Sequence, residues 1–134
     1  MATVTKIEDL LIWQEARVLV KGIFILTTQE KFSKEFALKD QIKRSAISVM
    51  SNIAEGFGRG GNKEFVQFLY ISSGSLSELK TQLYMSFDFD LLSQEDLNKF
   101  LADTFKLENM IKALIKKMKE SEYTGTKYKT VSEL

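Results

Sequence analysis

The chain of 134 residues has no cysteine, no histidine and no proline. Each absence excludes something. Without cysteine there is no disulfide and no thiolate nucleophile or metal ligand, which fits a reducing compartment and sets the expectation of a cytoplasmic protein. Without histidine the chain lacks the usual general base, the commonest metal ligand and the pH-switch side chain. Ser-His-Asp and Cys-His catalysis therefore cannot be assembled within one chain. The lack of proline suits long uninterrupted helices far better than a turn-rich β fold. No apolar run reaches the roughly 18 residues of a membrane span. The opening MATVTKIED lacks the charged start and apolar stretch of a signal peptide.

What remains is ordinary soluble composition, 44% hydrophobic and 28% charged. The length fits one domain with a core of its own. The net charge of +1 is unevenly spread. Residues 36–63 are basic, 64–104 acidic and 105–134 basic again, so the molecule is polarised without being a strong polycation.

The apolar residues recur at helical spacing. Ile12, Ala16, Leu19, Ile23 and Leu26 form one stripe of a first helix over about 9–29, with Asp9 as its cap. Trp13, Val20 and Phe24 form a second stripe, and Leu10, Leu11, Val18 and Ile25 add more. A bundle helix needs one buried stripe, so the excess marks Trp13, Val20 and Phe24 as candidate oligomer contacts. After a charged connection at 30–35, Ile42, Ala46, Val49 and Ile53 line a second helix over about 36–56. Its other positions are small and polar: Ser45, Ser48, Ser51 and Asn52. Gly56 is expected to end it in the left-handed conformation, and Asn62 to cap the next helix.

The third helix, about 63–87, carries Phe65, Leu69, Ser72, Leu76, Leu79 and Leu83 on one stripe. Gly74 in its middle costs about 1 kcal/mol relative to alanine; close approach of another helix, or a kink, would account for it. Ser93 caps a fourth helix over about 93–122, with Asp96 three residues on. Residues 123–134 lack periodicity and are expected to form a mobile tail. Four such helices with short connections predict an all-α fold, an antiparallel up-down-up-down four-helix bundle spanning 1–134 as a single domain.

Candidate chemistry is sparse. Gly56, Gly58 and Gly61 spell G-x-G-x-x-G, but a helix rather than a strand precedes them, so a turn is expected and not a dinucleotide loop. A Walker loop fails because Asn62 follows Gly61. Glu55 and Glu78 could hold a metal in a bundle, but the di-metal pattern needs Glu-x-x-His. Hydrogen bonds from Ser48 or Asn52, or a basic partner, suit these carboxylates better, and Asn52 and Glu55 are expected to fix the glycine turn from inside. No catalytic residue, metal or cofactor is indicated, and no small-molecule substrate is evident. Lys39, Lys43, Arg44, Arg59 and Lys63 are candidate contacts for RNA or DNA phosphates, the alternative being a solvated surface.

Several runs carry a family resemblance: Leu11-Ile12-Trp13-Gln14; Gln41-Ile42-Lys43-Arg44-Ser45-Ala46; Ser51-Asn52-Ile53-Ala54-Glu55-Gly56; and Gly74-Ser75 with Glu78. Over about residues 7 to 118 the chain resembles the bacterial 23S ribosomal RNA intervening-sequence proteins, also labelled S23 ribosomal proteins. The resemblance implies a non-enzymatic antiparallel four-helix bundle that assembles into a homopentameric ring. It supplies no catalytic residues. A related group, accessory proteins of diversity-generating retroelements, is similar in fold, binds nucleic acid and works with a reverse transcriptase. The present chain departs from that branch in charge, at only +1.

Overall fold

The computed structural model describes residues 4–123; the expected tail lies outside the described residues except Tyr123, which is helical. A 3-10 turn, Ile7–Asp9, leads into α1, Leu11–Thr27; the one-turn α2, Glu30–Ser33, precedes the long helices α3, Phe36–Gly58, α4, Asn62–Asp88, and α5, Gln94–Tyr123. The four long helices form an all-α bundle. In it α3 packs on α1 and α4, and α5 packs on α4 and α1, so α1 and α4 sit on a diagonal.

The stripes read from periodicity are the core. Ile12, Ala16, Leu19, Ile23 and Leu26 of α1 meet Ile42, Ala46, Val49 and Ile53 of α3, and all are buried. Phe65, Leu69, Leu76, Leu79 and Leu83 of α4 complete it with Leu97, Leu107, Ile111, Leu114 and Met118 of α5. Each fully buried aliphatic side chain contributes about 1.5–3 kcal/mol by leaving water. Phe32 on α2 is also wholly buried, which anchors a segment expected to be only a charged connection.

The helix ends differ from expectation at several places. Asp9 belongs to the 3-10 turn and does not cap α1; Leu10 holds the extended N-cap position, without a side-chain cap. At the other end, Thr27 and Thr28 donate their hydroxyls to the carbonyls of Phe24 and Ile25, at 2.8 and 2.7 Å. Ile25 O also accepts the backbone N–H of Thr28 at 3.1 Å, so the hydroxyls add to the hydrogen bonding of the last turn. Asn62 is the buried first residue of α4, and Gly61 is its N-cap without a side-chain bond.

One expectation on capping is met, and a second cap appears that periodicity does not show. Ser93 Oγ accepts the backbone N–H of Asp96 at 3.1 Å, as a capping serine should. The end of α4 is a Schellman turn: the amide of Leu91 donates to Ser86 O at 2.9 Å, and that of Asp90 to Phe87 O at 3.0 Å. Asp90 takes the left-handed place at φ 61°, which aspartate tolerates better than most residues.

Candidate interaction surfaces

The Gly56 segment is built for contact between helices. Gly56 lies inside α3, buried; α3 continues to Gly58, and the left-handed residue of the turn is Gly60 at φ 89°. A Cβ on Gly56 would lie 2.7 Å from Phe68 Cβ and 3.0 Å from Phe65 Cδ1. Glycine is needed there for space and not to stop the helix. The α3–α4 seam is close along its length: Ser48 and Ser75 share a hydrogen bond of 2.7 Å, and Ser72 donates to Val49 O at 2.8 Å. Asn52 donates back to Ser48 O and Oγ, at 2.8 and 3.0 Å, so it supports the seam and not the turn.

Glu55 is exposed and pairs with Arg59 at 2.8 Å; Arg59 also reaches Glu64 at 3.8 Å. It braces the turn through a surface ion pair and not through an internal bond. Glu78 is exposed as well. Taking Ser48 and Ser75 as level, ten residues of rise separate Glu55 from Glu78, about 15 Å. The structure does not bring these two carboxylates together. Among the described residues no group of three metal-ligating side chains occurs.

The five basic candidates fall into two groups. Lys39, Lys43 and Arg44 lie in the first half of α3, while Arg59 caps its other end and Lys63 sits in the first turn of α4. Twenty helical residues, about 30 Å, separate Lys39 from Arg59. Arg44 Nε donates to Asp40 at 2.8 Å, and that bond and charge raise the pKa of its guanidinium. Lys39 donates to Ser33 O at 3.2 Å and lies over the Phe36 ring, and Lys43 lies over the Phe24 ring. Lys39, Lys43 and Lys63 have no carboxylate within salt-bridge distance among the described residues.

Trp13 and Val20 are half-buried against the bundle's own core, while Phe24 is 36% exposed under Lys43. The most exposed apolar side chains of α1 are Leu11, Val18 and Ile25, at 43%, 65% and 56%, spaced by seven residues. The sequence shows these three, but periodicity alone does not say which of two competing stripes faces out. Tyr84 on α4 and Phe105 on α5 are exposed too. The bond from Lys119 Nζ to Tyr70 Oη, at 2.7 Å, sets these antiparallel helices in register. That register puts Tyr84 and Phe105 at one height on the α4–α5 face. Gly74 points outward: a Cβ there would meet nothing within 4 Å, so no helix of the same chain approaches it.

The remaining feature is a groove of about 420 Å³ between the start of α3 and the end of α4. Its walls are Ala37, Leu38, Met85 and Phe89, with Gln41 and Gln82 between them and Glu35 as its one charged residue. Gln82 Oε1 is shut off from solvent and has no hydrogen-bond partner among the described residues. Sequence reading missed this site, because its residues come from the flanks of two stripes and from two helix ends.

A family profile described as 23S rRNA-intervening sequence protein matches residues 8–113. Among solved structures, a protein of unknown function from the S23 ribosomal protein family of Bacteroides thetaiotaomicron is similar, at 20% identity and a TM-score of 0.72. The similarity covers 78% of this chain and 98% of that one, and it supports the bundle fold. No curated protein matches the chain.

Proposed function

The chain belongs to the 23S rRNA-intervening sequence protein family, and we propose that it acts as a non-enzymatic assembly unit, a bundle that joins copies of itself into a closed ring, most simply a pentamer. The observation that carries this reading is the repeat of Leu11, Val18 and Ile25 on the outside of α1. A helix that has already buried one stripe in its own bundle has no use for a second unless something covers it. Another exposed apolar pair, Tyr84 and Phe105, lies on the α4–α5 face. Contact between unlike faces is heterologous, and a heterologous contact whose rotation closes gives a ring.

Sedimentation or light scattering at micromolar concentration tests the proposal. The expected result is a mass that is a fixed multiple of the 15.4 kDa chain. A monomer at that concentration overturns it.

A second reading rests on a separate observation, the three lysines without carboxylate partners. Lys39, Lys43 and Lys63 are available to RNA or DNA phosphates, and a ring would repeat them so that their fields add. Affinity for a nucleic acid that falls steeply with salt supports this reading; no binding at low salt removes it.

A further inference from the structure

We propose that the outer ridge of α1 in one copy packs in parallel on the outer ridge of α4 in the next, with Val18 set against Glu78 and Lys21 paired to that carboxylate. The contact rests on the ring reading above and adds to it the surface that receives α1 and the register in which it does so.

The spacing of exposed side chains comes first. On α4, Ile71, Glu78 and Met85 recur every seven residues and all face outward, as Leu11, Val18 and Ile25 do on α1. Ile71 and Met85 are 51% and 45% exposed. Each set covers about 21 Å of helix. Seven residues is the period at which two packed helices keep the same side chains facing each other.

The bundle sets the direction. Consecutive long helices run antiparallel, so α1 and α4, on a diagonal, run the same way. In a closed ring of three or more copies the rotation from one to the next is too small to reverse a helix. The α1 of one copy therefore meets the α4 of its neighbour in parallel. Aligned in that sense, the two sets place Leu11 against Ile71, Val18 against Glu78 and Ile25 against Met85.

Charge fixes the choice of partner. Glu78 has no cation, and Arg17 and Lys21 have no carboxylate, within salt-bridge distance among the described residues. Lys21 lies one turn beyond Val18 on the same ridge, and Arg17 lies one turn before Lys21 beside it. In the register above, the neighbour's Glu78 sits between two apolar layers and next to these cations. A carboxylate covered by Val18 alone would be costly; the surface that covers it also brings its counter-charge. Gly74, one turn before Glu78, has room for the incoming helix, since a Cβ there meets nothing of its own chain within 4 Å.

Sedimentation velocity of the full chain at micromolar concentration tests the contact. Glu78→Lys sets a cation before Arg17 and Lys21 and should raise the dissociation constant of the assembly at least about tenfold. Arg17→Glu with Lys21→Glu should do the same from the opposite side. The three substitutions combined exchange the signs and should restore association to within about threefold of wild type. All three positions are exposed, so circular dichroism should show unchanged helicity in every variant. Wild-type association in Glu78→Lys overturns this contact and leaves the ring reading standing. So does a combined variant that associates no more tightly than its parents. A monomeric wild type overturns the ring reading and the contact with it.

Discussion

Gly56 of α3 packs directly against Phe68 of α4, and a Cβ on Gly56 would sit 2.7 Å from Phe68 Cβ. Both atoms are rooted at the backbone, so neither can swing aside. Replacing a helical glycine by alanine ordinarily stabilises by about 1 kcal/mol. Here overpacking reverses the sign. Gly56→Ala is expected to cost about 1–3 kcal/mol, read as a lower urea midpoint with an unchanged slope.

Gly74 provides the opposite case on the neighbouring helix. It is exposed and a Cβ there meets nothing within 4 Å. Gly74→Ala should therefore follow helix propensity alone and stabilise the chain by about 0.5–1 kcal/mol. A thermal melt at a concentration low enough to keep the chain dissociated measures it.

The two glycines show what was legible in the sequence. Spacing placed the core stripes correctly because burial of Ile42, Val49, Leu69 or Leu79 repeats with every turn of helix. It could not tell Gly56 from Gly60, because a glycine kept for space and one kept for a positive φ look alike until the partner helix is known. The same limit affected Gly74, where close approach was expected and open space is found. One-turn features also went unseen: α2 has too few residues to show a period, and only the burial of Phe32 reveals its role. The basic residues read as one patch because they are near in sequence, whereas the length of α3 pulls them apart.

Gln82→Leu tests the one-sided cost of a buried acceptor, since Gln82 Oε1 has no hydrogen-bond partner among the described residues. The substitution removes an unpaired acceptor and fills the same space with apolar atoms, so the chain should gain about 1 kcal/mol or more. Chemical denaturation of the variant beside the wild type gives the difference.

The lysines and arginines on α3 and its turn are expected to differ in their effect on nucleic acid. Arg44 and Arg59 already hold carboxylates at 2.8 Å, whereas Lys39, Lys43 and Lys63 do not. If RNA binds, Lys39→Gln, Lys43→Gln and Lys63→Gln should each lower the slope of log affinity against log salt by up to about 0.9. Arg44→Gln and Arg59→Gln should change it less. Fluorescence anisotropy across a salt series reads the difference, and the reverse ranking would point to a rearranged surface in the complex.

The outer stripe of α1 provides the decisive variant for assembly. Val18 is 65% exposed and Ile25 is 56% exposed, so a charge at either place is solvated in a lone bundle and costs the fold little. In a closed ring the same charge would be buried against apolar surface without a partner, which is costly. Val18→Glu combined with Ile25→Glu should therefore yield a monomer by sedimentation while helicity is kept. Trp13→Glu offers the contrast: Trp13 is half-buried and packs on the core, so its loss should lower the melting temperature of the monomer itself. If the Val18 and Ile25 variant keeps the wild-type mass, the contact lies on another face, and Tyr84→Glu with Phe105→Glu is the next pair to measure.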